Sequence, residues 1–425
     1  MKIVTNQRFN ETIYEQNISS GLRVVVIHKP GYIGSSALIA TPFGGMHTKL
    51  KDKDGNIIEI LPGSAHFLEH KLFESEEGDI MTAFSNEGAT VNAFTSYEET
   101  VYYFSTSNDI EIPLNMLLDF VSNLQISEES VEKEKGIIIQ ELRMYASMPD
   151  SRLVNETYRS LFVEHPFSND IGGSEDSVNA ISKEHLELCY RLNYHPQRML
   201  LVVATGDQPQ RIFDIVENNH SSKYFEDAPI VESVKIDEPQ HVYRKNHEFH
   251  LDVQSLKTTV TYKINHQMQS ESERKKAEWS LRLLMESAFS PLNPDYQNWM
   301  DEGIITDFFG FDADVGEGYG LLMFYNETED SKGFQNFLDK QIRTCSMTEE
   351  TLQQLKRRYI GQAFRSLNDL EDMAISYIRA TFANADFFES LSWVEEITMD
   401  DAKRAHGLVD LNNHCIVSLK KTKTS

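Results

Sequence analysis

The most informative stretch of this chain reads Ser64-Ala65-His66-Phe67-Leu68-Glu69-His70-Lys71-Leu72-Phe73. On a helix, His66 and His70 lie four residues apart and project from the same face, with Glu69 beside them. Neutral imidazoles suit zinc, and a carboxylate that is not a ligand can take a proton from the attacking water. The stretch therefore predicts a zinc-binding helix with Ser64 as its N-cap. The alternative is a surface helix that carries two histidines.

The order H-x-x-E-H is the signature of inverted zincins. A catalytic zinc ion commonly has three protein ligands and one open position, so this pair of histidines needs a third ligand. A helix predicted over residues 127–148 has Glu134 and Glu141 seven residues apart, on the edge of its apolar stripe. An inward carboxylate needs a cation or hydrogen-bond donors, which makes Glu141 the predicted third ligand. The alternative is that both carboxylates are ordinary surface charges.

The composition of the chain excludes several classes of protein. The chain has 425 residues, of which 40% are hydrophobic, so it can build two or more cores. A formal charge of -26 disfavours binding to nucleic acid and to anionic membranes. We find no apolar run of membrane-spanning length and no secretory signal, and the three cysteines are widely spaced. A cytoplasmic protein without a disulfide scaffold is therefore expected.

Apolar runs and turn residues divide the chain into two halves. Residues 218–239 are polar and proline-containing, so we predict a first half over 1–220, a linker over 221–240 and a second half over 241–425. Residues 49–60 are predicted to form a surface hairpin or loop, and residues 79–87 a short helix. The predicted strands of the first half are 21–27, 35–41, 90–94, 100–104 and 199–207. In the second half we predict strands over 258–264, 320–325 and 415–419 and helices over 271–287, 331–343 and 349–367.

Several segments together resemble one enzyme family. They are His66 to Phe73, Gly88-Ala89-Thr90-Val91-Asn92-Ala93-Phe94-Thr95-Ser96, Glu134 to Glu141, Asp170 to Glu175 and Tyr194-His195-Pro196. The chain resembles the inverted-zincin family of pitrilysin, insulin-degrading enzyme and mitochondrial processing peptidase, over at least residues 20–210. It is most similar to small bacterial members such as the zinc peptidase of subtilosin biosynthesis.

The resemblance implies an α+β fold of two homologous halves. Each half would be a mostly antiparallel sheet with helices packed on it, and the halves would enclose a chamber for peptides. It also implies one Zn²⁺ per chain, bound by His66, His70 and Glu141. Glu69 would be the general base, and Glu134 would support the ligands from outside the coordination sphere.

The resemblance also implies how substrate binds. A peptide would add as a strand beside an edge strand containing Val91, Asn92, Ala93 and Phe94, and Phe73 would line a primed-side pocket. Backbone contacts of this kind tolerate many sequences. In active relatives the second half supplies an Arg and a Tyr, whereas this chain has Leu in the strand-like segment Gly320 to Phe324 where the Arg is expected.

The predicted function is a zinc metalloendopeptidase for short or unfolded peptides, including peptide precursors. The alternative is a peptide-binding maturation subunit with little activity of its own. A third reading is a zinc hydrolase that acts on other substrates. Small members of this family often pair, so the expected partner is a paralogous subunit that lacks the zinc motif, or else a second copy of this chain.

Overall fold

The structure, a computed structural model, describes residues 1–73 and 80–422. Its strands are β1 (Lys2–Asn6), β2 (Glu11–Asn17), β3 (Arg23–His28), β4 (Ser35–Thr41), β5 (Lys49–Asp52), β6 (Ile57–Glu59), β7 (Ala89–Thr95), β8 (Thr100–Thr106), β9 (Leu200–Thr205), β10 (Val231–Ser233), β11 (Asn246–Leu251), β12 (Lys257–Ile264), β13 (Gly310–Gly316), β14 (Tyr319–Glu327) and β15 (Val409–Lys421). Its helices are α1 (Ser64–Leu72), α2 (Ile80–Asn86), α3 (Glu111–Val121), α4 (Glu128–Ser147), α5 (Pro149–Leu161), α6 (Glu175–Ala180), α7 (Lys183–Asn193), α8 (Pro209–Ser221), α9 (Glu271–Phe289), α10 (Tyr296–Asp301), α11 (Ser331–Thr344), α12 (Glu349–Ser366), α13 (Leu370–Phe382), α14 (Phe387–Ser390), α15 (Trp393–Glu396) and α16 (Met399–His406).

The chain divides into two compact units built from interleaved segments. Unit 1 contains Met1–Leu142, Asp170–Val234 and Phe364–Phe387, and unit 2 contains the remaining described residues. Each unit has a sheet with helices packed on it, so the predicted α+β class is confirmed. The division into homologous halves at residues 221–240 stays a prediction about the ancestry of the chain.

Unit 1 is built on a seven-stranded sheet in the order β1-β2-β3-β9-β4-β8-β7. Neighbouring strands are antiparallel except β3 and β9, which are parallel. Every residue of β4 and β9 is buried, and both strands contact α13. Continuous apolar runs are typical of strands that are covered on both faces. Strand β7 forms one edge of this sheet, as predicted for the segment that contains Val91 to Phe94.

A small three-stranded sheet in unit 1 has the order β10-β5-β6. Strands β5 and β6 are antiparallel, which confirms the hairpin predicted over residues 49–60. Strand β10 pairs with β5 through Val231↔Asp52, so part of the segment predicted as a linker is a strand of this unit. Helix α2 confirms the short helix predicted from residue 79, although Asp79 itself lies outside the described residues.

Unit 2 contains a five-stranded sheet in the order β11-β15-β12-β14-β13. Its strands are antiparallel except β11 and β15. Helix α9 packs on β13, and its side chains Leu281 and Met285 are fully buried together with Tyr262 and Phe324 of the sheet. None of the helices described in either unit combines the length and the apolar sequence that crossing a membrane requires.

Candidate metal centre

Helix α1 presents His66 and His70 from one face, as predicted, and their ring centroids lie 4.6 Å apart. The opposite face is anchored by Phe67 and Leu68, which are fully buried. Both imidazoles are partly exposed, with side-chain exposures of 16% for His66 and 23% for His70. The helix therefore buries its apolar side chains and leaves the two rings partly open to solvent.

The prediction that Ser64 caps this helix is wrong. The N-cap is Gly63, which has a φ of 92° in the left-handed region, and Ser64 is the first helical residue. A Cβ at position 63 would lie 2.5 Å from the carbonyl oxygen of Gly172, so only glycine fits there. The hydroxyl of Ser64 instead donates to the carbonyl of Leu61 at 2.7 Å.

Helix α4 brings Glu141 to the two histidines. The Oε2 atom of Glu141 lies 3.7 Å from Nε2 of His66 and 3.4 Å from Nε2 of His70. Across the described part of the chain, these three residues form the one group of His, Cys, Asp or Glu side chains whose ligand atoms all lie within 4.8 Å of each other. The three residues predicted as ligands from the sequence are therefore brought together in space.

The spacing of these atoms fits a zinc ion. Zinc binds imidazole nitrogen and carboxylate oxygen at about 2.0–2.2 Å in tetrahedral geometry, which corresponds to ligand atoms roughly 3.3–3.6 Å apart. Of the two separations from Glu141, 3.4 Å lies within this range and 3.7 Å exceeds it by about 0.1 Å, so the ligand atoms need only a small adjustment to bind one ion. Two imidazoles and one carboxylate also form the donor set of a catalytic site that keeps its fourth position open.

Glu134 contacts His70 from the side opposite the ligand group. Its Oε1 accepts a hydrogen bond of 2.9 Å from Nδ1 of His70, since an ionised carboxylate can only accept. A proton fixed on Nδ1 leaves the lone pair of Nε2 directed toward Glu141. The contact fits the role that the family resemblance implied for Glu134, and that role stays a prediction.

The carboxylates around His70 favour a positive charge at this site. Burial opposes protonation of His70, but hydrogen bonds to Glu134 and Glu141 outweigh it and raise its pKa to about 9. The same hydrogen bonds hold the pKa of Glu134 and of Glu141 below the ordinary value. In the metal-free protein a proton on His70 offsets one of the two carboxylate charges, and a divalent cation would displace that proton on binding.

Glu69 lies next to His70 in sequence but outside the ligand group. Its Oε2 accepts a hydrogen bond of 2.6 Å from the hydroxyl of Thr95, at the end of β7. A carboxylate placed beside a metal site and held by a hydroxyl can act as a base without binding the metal itself. The structure thus separates Glu69 from the three candidate ligands.

Comparison with known proteins identifies the family of this chain. The profile of the insulinase family, peptidase family M16, matches residues 59–175, and the profile of the peptidase M16 inactive domain matches residues 180–359. The uncharacterized zinc protease YmfH of Bacillus subtilis (strain 168) is 32% identical over 406 residues, which cover 95% of each chain. The chain belongs to peptidase family M16.

Further proteins are similar to this chain in sequence or in structure. A protein of Schizosaccharomyces pombe, named as a mitochondrial-processing peptidase subunit beta, is 27% identical over 213 residues, 49% of this chain and 44% of that protein. The crystal structure of an M16-like peptidase from Alicyclobacillus acidocaldarius is 28% identical, with a TM-score of 0.90 over 97% of this chain and 99% of that one. The structure of pitrilysin, at 15% identity, has a TM-score of 0.73 over 99% of this chain and 46% of that one, so it shares the fold.

The residues expected to contact substrate in this M16 peptidase have different environments. Val91 is 7% exposed and packs in the core of unit 1, so it can offer substrate its backbone but little of its side chain. Asn92 is exposed, and Ala93 and Phe94 are half-buried. Phe73 packs against Phe120 with ring centroids 5.5 Å apart. Their role in substrate binding stays a prediction.

Sequence reasoning missed two side chains that contact helix α1. Thr95, which bonds Glu69, belongs to the quoted Asn-Ala-Phe-Thr-Ser segment, and its position in that segment was the available signal. His185 of α7 lies with Nε2 2.9 Å from the Ser64 hydroxyl, at the start of α1. No local pattern marks His185, because its contact spans 121 residues of sequence.

Proposed function

We propose that this chain is a zinc metalloendopeptidase that cleaves short or unfolded peptides bound in extended form. The convergence of His66, His70 and Glu141, with Glu69 beside them but outside the ligand group, carries this proposal. Relatives named as zinc proteases support the metal assignment.

Each residue of the site has a separate role in this mechanism. When bound, zinc polarises the scissile carbonyl and makes water a better nucleophile near neutral pH. Glu69 takes a proton from the attacking water and delivers it to the leaving amine. Glu134 holds the ring of His70 in the orientation and tautomer that a ligand requires.

Strand β7 supplies the platform for the peptide. It is the edge of the unit 1 sheet, so its outer side offers backbone N–H and C=O groups to an added strand. Residues from Val91 to Phe94 lie on this edge, and Thr95 at the end of the strand contacts Glu69. A peptide paired with β7 would therefore run past the general base, and its recognition through backbone groups would tolerate many sequences.

The test compares wild type with Glu69→Gln for zinc content and for cleavage of a mixed peptide library followed by mass spectrometry. We expect one zinc per chain in both proteins and a loss of turnover of about 10²-fold or more in the variant. Glu129→Gln, the same change at an exposed position in the first turn of α4, should cleave like wild type. Cleavage by Glu69→Gln at the wild-type rate would rule out this assignment.

A second candidate function is a peptide-binding maturation subunit that cleaves only with a partner. The match of residues 180–359 to the inactive-domain profile favours it, as does the relative named as a beta subunit. The partner would be a paralogue without the zinc motif, or a second copy of this chain. Gel filtration and peptide cleavage, with this chain alone and co-expressed with such a paralogue, separate the two candidates. Full activity in a lone monomer excludes the subunit reading.

A further inference from the structure

Thr95 makes a direct contact with the residue proposed as the general base. Its hydroxyl lies 2.6 Å from Oε2 of Glu69, a short distance typical of a hydrogen bond to a charged oxygen. An ionised carboxylate cannot donate, so the hydroxyl of Thr95 is the donor. This bond engages one carboxylate oxygen and leaves Oε1 to receive a proton.

The backbone of Thr95 is held firmly. Thr95 pairs with Thr100 as the last pair of the β7–β8 hairpin, and the turn is closed by a hydrogen bond of 2.8 Å from the Ser96 amide to the Glu99 carbonyl. The carboxylate of Glu99 is buried and bonded to Arg379 of α13 at 3.0 Å. These contacts fix the point from which the Thr95 hydroxyl reaches Glu69.

The neighbouring hydroxyl of Thr100 does not take the proton of Thr95. Thr100 donates to the carbonyl of Phe43 at 2.8 Å, and its hydroxyl lies 3.4 Å from that of Thr95. The one proton of Thr100 goes to Phe43, so Thr100 could only accept from Thr95, and the shorter distance to Glu69 directs the Thr95 proton there. A side chain with this fixed backbone and one short bond restricts the rotation of a flexible glutamate.

We propose that Thr95 is a positioning residue for Glu69. By holding Oε2, it directs Oε1 toward the water that attacks the peptide, and it keeps its own proton throughout. The inference rests on the proposed peptidase function, since it assigns Glu69 the role of base. It predicts that removal of this hydroxyl slows the chemical step without weakening zinc or peptide binding.

Three variants of the full chain, loaded with zinc, test the proposal in a peptide-cleavage assay. Thr95→Val keeps the branched shape and removes the donor, whereas Thr95→Ser restores it. We expect Thr95→Val to lower kcat about tenfold to a hundredfold with KM and zinc content within twofold of wild type, and Thr95→Ser to recover most of the loss. The matched control is Thr106→Val, which removes a buried hydroxyl that donates to Gly88 on the same hairpin and should leave kcat unchanged.

Several outcomes of this assay would overturn the proposal. They are an unchanged kcat in Thr95→Val, a loss confined to KM or to zinc content, and a Thr95→Ser protein as slow as Thr95→Val. If wild type does not cleave peptides with zinc bound, the proposed function fails, and a crystallographic measurement still decides the role of Thr95.

That measurement is the orientation of Glu69 in crystal structures of zinc-loaded wild type and Thr95→Val. We expect Glu69 to remain within hydrogen-bond distance of Thr95 in wild type and to adopt another rotamer in the variant. The same Glu69 orientation in both structures would refute the positioning role. A wild-type structure in which Glu69 and Thr95 are apart would refute it as well, even if the variant failed to fold.

Discussion

One cluster of carboxylates in each unit is balanced by a different kind of side chain. In unit 1, the carboxylates of Glu134 and Glu141 face the imidazole of His70. In unit 2, Glu278 of α9 is bonded to Lys275 at 2.8 Å and to Arg282 at 3.2 Å. Lysine and arginine carry their charge permanently near neutral pH, whereas imidazole does not. The Glu278 cluster of unit 2 is thus neutralised by permanent cations, whereas the cluster of Glu134 and Glu141 in unit 1 leaves a charge for a cation to balance.

In the part of the chain that the structure describes, the carboxylates of the unit 2 cluster have structural partners and no imidazole among them. Arg282 also bonds Asp312 at 2.7 Å, and Asp314 accepts from the hydroxyl of Tyr319 at 3.2 Å. These contacts join α9 to β13 and hold one face of the sheet together. Acidic residues alone therefore do not indicate a metal centre, and the nature of their partners separates the two units.

Removing the metal is the strongest way to test this difference. With zinc at about 1,000 times its dissociation constant, binding should add about 4 kcal/mol to the stability of unit 1. Hydrogen exchange of zinc-loaded and metal-free protein should then show lost protection in α1 and α4 and little change in α9 and β13. Equal changes in both units would contradict the assignment of the cation to unit 1.

Replacing the third ligand should have the next largest effect. Glu141→Gln removes the negative charge and leaves a weaker oxygen donor, so zinc affinity should fall by more than about 100-fold, beyond the range for outer partners of a metal site. Competition with a chromophoric chelator measures it. Glu129→Gln on the same helix should bind zinc like wild type, and wild-type affinity in Glu141→Gln would exclude it as a ligand.

Glu134→Gln should weaken zinc binding less, by about 10- to 100-fold, because it alters the support of His70 and not the ligand set. The same chelator competition measures the change. A loss as large as that of Glu141→Gln would place Glu134 among the ligands. No loss at all would remove its supporting role.

The smallest effect on zinc binding is expected from a change in unit 2. Burial, with the nearby Glu278, raises the pKa of Asp314 from 3.8 to about 6. The folded protein then binds more protons than the unfolded chain between these values, so the group costs stability as pH rises through this window, and the cost is complete above it. Asp314→Asn should therefore stabilise unit 2 above about pH 6, by no more than about 3 kcal/mol, and not at all below pH 3.8.

Thermal unfolding of Asp314→Asn across this pH range tests that prediction. Its zinc affinity should equal that of wild type, since Asp314 belongs to unit 2 and Glu141 to unit 1. A stability gain that is the same at every pH would show that the charge of Asp314 is not its cause.

Much of the metal centre could be predicted from the sequence because its parts are local. The four-residue step from His66 to His70 and the seven-residue step from Glu134 to Glu141 are helical spacings that put each pair on one face. Both pairs do lie on helices, the first on α1 and the second on α4. The contact of Thr95 with Glu69 could not be predicted in this way. It depends on how the end of the β7–β8 hairpin meets α1, which no periodicity encodes.

Which segments of the chain form each unit was harder to predict than the fold class. Strands β4 and β9 were predicted from their apolar runs, but those runs do not say what covers them. Helix α13 lies in unit 1 although it is encoded in the second half of the chain. Such long-range docking depends on surface complementarity, as in the bonds from Tyr377 to Glu15 and from Arg379 to Glu99.

The docking of α13 has a consequence for the order of events during synthesis. Strand β9 ends at Thr205 and α13 ends at Phe382, so 382 minus 205, or 177, residues are translated between them. At about 5–20 residues per second, this takes roughly 10 to 35 seconds. During that interval the nascent sheet of unit 1 lacks the helix that covers β4 and β9, so this apolar surface stays exposed until most of the second half of the chain has been made.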